Sequence, residues 1–199
     1  MRLHRLSMVP LGLGLLLLLA SAGCIFSPDN KPPDDPVDDW SFPDTEDQLM
    51  ANFKRAYSEM NIDRYRDVLN DNYKFMFQQE DIEHLGLPYD HFNRDDELDA
   101  ATNMFTGVSP APEVPAISSI SIDVLEPQTA WQDVIEHPDF PNSRRRAYQI
   151  TMYIERPGAT TFKVEGLQEF FVVPHEFMVD NVARMGWQLV GQVDRTVGG

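Results

Sequence analysis

Tyr57, Glu169, His175 and Cys24 are the side chains whose type and setting could carry chemistry. Tyr57 lies on the apolar stripe of a predicted helix, so its hydroxyl is either satisfied within a core or offered to a guest. Glu169 sits in a strongly apolar strand between Leu167 and Phe171. Facing inward, it would lose water and its pKa would rise, as a catalytic carboxyl requires; facing outward, it would pair with an Arg or Lys of a neighbouring strand. His175 follows Pro174 at the end of that strand and precedes Glu176, a pair with acid–base capacity. His84, His91 and His137 fall in polar stretches without ligand spacing, so no metal and no cofactor is expected. No phosphate-cradling glycine loop and no serine nucleophile in a recognisable setting is present. Arg144-Arg145-Arg146 reads as a solvated strand edge that discourages aggregation, or as a grip for an anionic partner.

Cys24 is the only cysteine, so it closes no internal disulfide. Before it come a basic stretch with Arg2, His4 and Arg5 and an apolar run from Met8 to Ala20. This is the layout of an export signal, and the run is short of the roughly 20 apolar residues that span a bilayer. Leu19-Ala20-Ser21-Ala22-Gly23-Cys24 resembles the lipobox of bacterial lipoproteins, with Ser21 where that family usually has Leu. The resemblance implies a diacylglyceryl thioether on Cys24, cleavage behind Gly23, and anchoring by acyl chains such as palmitate, each worth about 0.8 kcal/mol per buried methylene. Ile25 rather than Asp follows, which by the same resemblance implies the outer membrane, facing the periplasm. Prolines and aspartates then alternate up to Asp44, an extended and self-repelling tether from which Trp40 and Phe42 are expected to dock on the domain edge. The predicted division is a signal peptide over 1–23, a tether over 24–44 and one domain over 45–199.

The positioning elements begin with a helix whose Leu49, Met50, Phe53, Ala56, Tyr57 and Met60 form one stripe. Thr45-Glu46-Asp47-Gln48 fits a capping box at its start. Ile62, Tyr65, Val68 and Leu69 mark a second short helix, and Tyr73, Phe75 and Phe77 alternate as a half-buried strand. Residues 79–89 read as polar and irregular. Asn93 to Glu97 open a third helix that packs through Leu98, Ala101, Thr102 and Phe105 and stops at Gly107. Strands are predicted over 117–124, 131–135, 147–155, 161–173 and 187–194, with a turn at 156–160, a bulge at Glu165-Gly166 and a polar insertion over 137–146.

Helices first and long strands after predict an α+β domain, its N-terminal helices packed on a strongly curved antiparallel β-sheet. That order resembles the nuclear-transport-factor-2-like superfamily, which includes the SnoaL-like cyclases and the ketosteroid isomerases. The similar segments are Phe53 to Tyr57, Asp63 to Leu69, Asp71 to Phe75 and Trp187 to Val190. The resemblance implies a cone-shaped sheet whose open end is a pocket, with Phe53, Tyr57, Phe75, Phe77, Phe105, Tyr153 and Trp187 expected to line it. The isomerases carry an acidic base just after the first strand; here that position is Phe77 or Gln78, so the base does not carry over. A net charge of −16 leaves no surplus of cations for phosphates, which excludes nucleic-acid binding. The favoured expectation is a lipid-anchored envelope protein that binds a small apolar ligand or a protein partner without catalysis. The rival is a SnoaL-like isomerase, cyclase or dehydratase using Tyr57, Glu169 or His175. Pairing of two copies through the sheet is a third reading.

Overall fold

The computed structural model describes residues 40–195, apart from 108, 110, 112 and 113 and the side chains of Asp81 and Leu85. The expected signal peptide, Cys24 and the tether up to residue 39 lie outside the described residues. Four helices and seven strands are present among the described residues: α1 (Glu46–Ser58), α2 (Ile62–Val68), β1 (Leu69–Met76), α3 (Gln79–Leu85), β2 (His91–Asn93), α4 (Arg94–Phe105), β3 (Ser119–Pro127), β4 (Gln132–Val134), β5 (Ser143–Glu155), β6 (Phe162–Val179) and β7 (Val182–Asp194). None of these helices is long and apolar enough to cross a membrane. This is the α+β architecture expected, with helices on a curved, mostly antiparallel sheet in the order β2-β1-β7-β6-β5-β3, and β4 beside β5. One pair departs from the expectation, since β1 runs parallel to β7. The last strand in sequence thus lies between β1 and β6.

The stripe on α1 packs as its spacing predicts. Leu49, Met50, Phe53, Ala56 and Tyr57 are buried against Tyr65, Val68, Leu98, Ala101 and Phe105 of the other helices and Ile120, Ile122, Ile150, Phe170 and Leu189 of the sheet. Alternation along β6 sends the neighbouring Phe171 to the other face, where it meets Phe140, Val190 and Val193 in a second cluster. Phe140 comes from the stretch expected as a polar insertion, yet it is 1% exposed and its ring lies 4.4 Å from that of Phe171. The loop roofs this part of the sheet because Gly191 leaves room; a Cβ there would fall on the Phe140 ring. The same stretch ends within β5, so Arg144 and Arg145 are paired with β4 and β6 on either side and Arg146 with β6, not an open edge.

Other boundaries also differ from expectation. Residues 79–85 form α3, closed by Gly86 in the left-handed conformation (φ 63°). The strands predicted to end at Val173 and begin at Trp187 continue into a two-stranded arm that turns at Asp180 and Asn181, with φ of 51° and 61°. Positive φ at both central residues is what a two-residue hairpin turn demands, and Asp and Asn tolerate it. The register is continuous at Glu165-Gly166; the shifts fall between Leu69 and Lys74, between Ile122 and Val124 and between Phe171 and Val172. Thr45 does cap α1, accepting from the Gln48 amide at 3.1 Å, but the reciprocal box forms at Asn93 and Asp96 on α4.

Trp40 and Phe42 dock as expected. The Arg55 guanidinium stands 4.8 Å from the Trp40 ring centre, and Phe42 meets Phe177 of the arm edge-on at 5.4 Å. The Trp187 amide donates to the Pro43 carbonyl at 2.9 Å. Gly186 permits this approach, because a Cβ there would come within 2.9 Å of the Pro43 oxygen.

Candidate functional site

A cavity of about 590 Å³ opens between the helices and the inner face of the sheet. Phe53 and Tyr57 enter it from α1, Phe75 from β1, Met104 from α4, and Ile150, Met152 and Ile154 from β5. Polar residues of the lining are Gln78, then Glu80 and His84 one helical turn apart on α3, Gln168 on β6, and Gln192 and Asp194 on β7, while Glu165 borders it and pairs with Lys163. A short relay of hydrogen bonds crosses the floor. The Tyr73 hydroxyl donates to Gln192 Oε1 at 3.2 Å, and Gln192 Nε2 donates to Gln168 Oε1 at 3.1 Å. A larger space of about 610 Å³ lies under Trp40, Phe42 and the arm. Its polar wall is already engaged, with the Asn52 amide held on the Ser41 carbonyl at 2.8 Å, so the smaller cavity is the better candidate.

Of the seven residues expected to line a pocket, Phe53, Tyr57 and Phe75 border this cavity; Phe77, Phe105, Tyr153 and Trp187 do not. β1 ends at Met76, so the alternation that would return Phe77 to the inner face stops first. Phe77 donates its amide to the Asp90 carbonyl at 3.0 Å and packs 4.8 Å from Phe92. Tyr153 falls between Met152 and Ile154 and takes the opposite face of β5. Phe105 lies deeper, edge-on to Tyr57 at 5.2 Å. Trp187 sits where the Pro43 carbonyl meets β7, with the Arg144 guanidinium 5.9 Å from its ring.

The three expected acid–base residues do not meet. Glu169 takes the outward alternative: its neighbour Gln168 faces the cavity, while Glu169 accepts from Arg195 at 3.0 and 3.2 Å and pairs with Arg145 at 3.3 Å. His175 belongs to the arm, its ring 4.8 Å from Phe177. The basic run is engaged likewise. Arg144 pairs with Glu46 and Arg146 with Asp47 at 2.6 Å, both acids lying in the first turn of α1. Among the described residues no three potential ligands gather as a metal site.

Sequence reasoning missed Glu97. It stands with Asp95 and Asp96 in the first turn of α4, where the helix dipole favours acids, yet it is 8% exposed. Tyr65 donates to Glu97 Oε1 at 2.7 Å and Tyr57 reaches the same oxygen at 3.3 Å. Loss of water pushes the Glu97 carboxyl above the ordinary range, partly opposed by the Tyr65 and Tyr57 hydrogen bonds. Burial, and then the Glu97 charge, push the Tyr57 and Tyr65 hydroxyls well above theirs. The signal was available: Glu97, Ala101 and Phe105 fall on one stripe at intervals of four. Tyr57 therefore does two things, offering its ring to the cavity and its hydroxyl to a buried carboxyl behind the wall.

No family model matches the chain, and no curated protein matches it. Solved structures do resemble it. A conserved protein from Planctomyces limnophilus is 10% identical, covering 76% of this chain and 94% of its own, with a TM-score of 0.51. An NTF2-like protein of unknown function in nutrient uptake from Rhodospirillum rubrum is 10% identical, covering 77% and 99%, with a TM-score of 0.45. The beta subunit of the benzoate 1,2-dioxygenase from Burkholderia mallei is 16% identical, covering 76% and 89%, with a TM-score of 0.46. At such identities a likeness speaks to fold alone. The fold is the α+β arrangement, helices on a curved and mostly antiparallel sheet, that the order of elements predicts.

Proposed function

We propose that the chain is a lipid-anchored protein of the bacterial envelope whose domain binds a small ligand with an apolar body, without catalysis. The observation that carries the binding reading is the 590 Å³ cavity, a volume suited to a small molecule, lined by apolar side chains and a few polar ones. The anchor rests on the lipobox at Leu19 to Cys24, and the outer membrane, facing the periplasm, is the proposed location. Cys24→Ala should move the protein from the membrane to the soluble fraction; retention of the variant in membranes would mean that the apolar run itself is the anchor. Mass spectrometry of compounds released from the purified chain should find a ligand that Ile150→Trp, which fills the cavity, no longer retains. Equal retention by that variant would remove the cavity from consideration.

Catalysis of the SnoaL-like kind has one observation in its favour, the Tyr57 ring in the cavity wall tied to the buried Glu97. Conversion of the retained compound by the wild-type chain, lost in Tyr57→Phe, would establish that reading in place of simple binding.

A further inference from the structure

The arm formed by the end of β6 and the start of β7 keeps large apolar side chains in water. Met178, Val182 and Met185 are 68%, 61% and 60% exposed. The register pairs Met178 with Ala183 and Glu176 with Met185, so Met178, Ala183 and Met185 share one face of the ribbon, and Val182 follows the turn directly. Single exposed apolar residues are ordinary, but a cluster of them on a narrow ribbon marks a surface that meets something. Where the chain leaves the domain indicates what that is. Trp40, the first described residue, borders the same space as Phe177, Met178 and Val179 of the arm, together with Phe42 and Pro43. Cys24 lies 16 residues earlier, so an anchor there keeps Trp40 within about 55 Å of the bilayer, at roughly 3.3–3.6 Å per residue. The arm from Pro174 and Trp187 to its turn is six pairs long, about 20 Å, and lies inside that reach. A second copy of the chain would bring another −16 of charge against this acidic molecule, whereas a zwitterionic lipid surface brings no net charge. Asp180 and Asn181 at the turn, and Glu176 beside Met178 and Met185, oppose entry tip first. The ribbon instead lies along the surface, as amphipathic elements do, with its polar groups at the level of the lipid headgroups.

We propose that the arm is a lipid-docking surface, its apolar flank resting in the bilayer interface and fixing how the domain stands on its anchor. The inference rests on the lipid-anchor reading above and adds to it a second, non-covalent point of contact.

The test uses the full chain, purified from bacterial membranes and reconstituted in phosphatidylcholine vesicles. Cys24 is the only cysteine, and as a thioether it takes no thiol label, so a nitrobenzoxadiazole fluorophore reports from Met178→Cys alone. Ala159→Cys, in the turn at the opposite end of β6, is the reference site. The label at 178 should shift to the blue and be quenched by doxyl-labelled phosphatidylcholine, while the label at 159 should emit as in water. Adding Val182→Glu and Met185→Glu, both at exposed positions, should return the label at 178 to water without releasing the chain from the vesicles. A label at 178 that emits as in water, with the chain still on the vesicles, overturns the docking inference and leaves the anchor standing. A blue shift that lipid-borne quenchers do not touch means that protein covers the arm, and overturns it equally. Labelling of Cys24 itself removes the anchor reading and the inference with it.

Discussion

Glu97 shows what a single residue can conceal in a chain with 32 acids. Its position in an acid-rich first turn makes it look solvated, and only its interval to Ala101 and Phe105 marks it as inward. Its raised pKa has a signed consequence. The folded chain holds the Glu97 proton more tightly than the unfolded chain, so between the ordinary value of 4.5 and the raised folded value the unfolded state loses its proton first. Stability from this group is therefore complete below about 4.5 and falls as pH rises through that window. Urea midpoints across pH should show this decline in the wild type and a flatter profile in Glu97→Gln; identical slopes would mean that Glu97 titrates as it does in water. Glu169 is the converse case. Both of its alternatives were legible from the apolar strand around it, and only the face it takes, which puts Arg145 and Arg195 beside it, needed the structure.

At the scale of elements, legibility followed burial on one side. α1 and α4 have an inside and an outside, so period and caps marked them. The arm formed by the end of β6 and the start of β7 has apolar residues in the open, with Met178, Val182 and Met185 all at least 60% exposed. A ribbon without a buried face shows no clean alternation, and Pro174 reads as its end rather than its middle. α3 was missed for a related reason, being short and largely exposed. The reciprocal cap on α4 is a measurable element-level device: Asn93 accepts from the Asp95 and Asp96 amides at 2.9 and 3.1 Å, and Asp96 accepts from the Asn93 amide at 3.1 Å. Asn93→Ala should cost about 1 kcal/mol in chemical unfolding, and adding Asp96→Ala should cost less than its effect alone, because the two bonds support each other. Full additivity would show the two halves to be independent.

For the whole molecule, fold class was legible from the order of helices and strands, while strand neighbours were not, because pairing depends on partners far away in sequence. Nor was the second core legible, since it needs Phe140 folded back over Gly191 from a polar loop. Gly191→Ala should destabilise the domain by roughly 1–3 kcal/mol through overpacking, and Phe140→Ala by about 3–5 kcal/mol through the space it leaves. Thermal unfolding reads both, and a Gly191→Ala variant as stable as the wild type would show the loop free to lift away.

The place of β7 between β1 and β6 carries a consequence in time. Asn70 and Gln188, which hold each other at 3.1 Å, are 118 residues apart, so the early helices wait for the final strand before the sheet can close. A growing chain of this design keeps β1 and β6 apart until β7 has been made. On the export route proposed above, a keystone laid last keeps the polypeptide threadable until it has crossed.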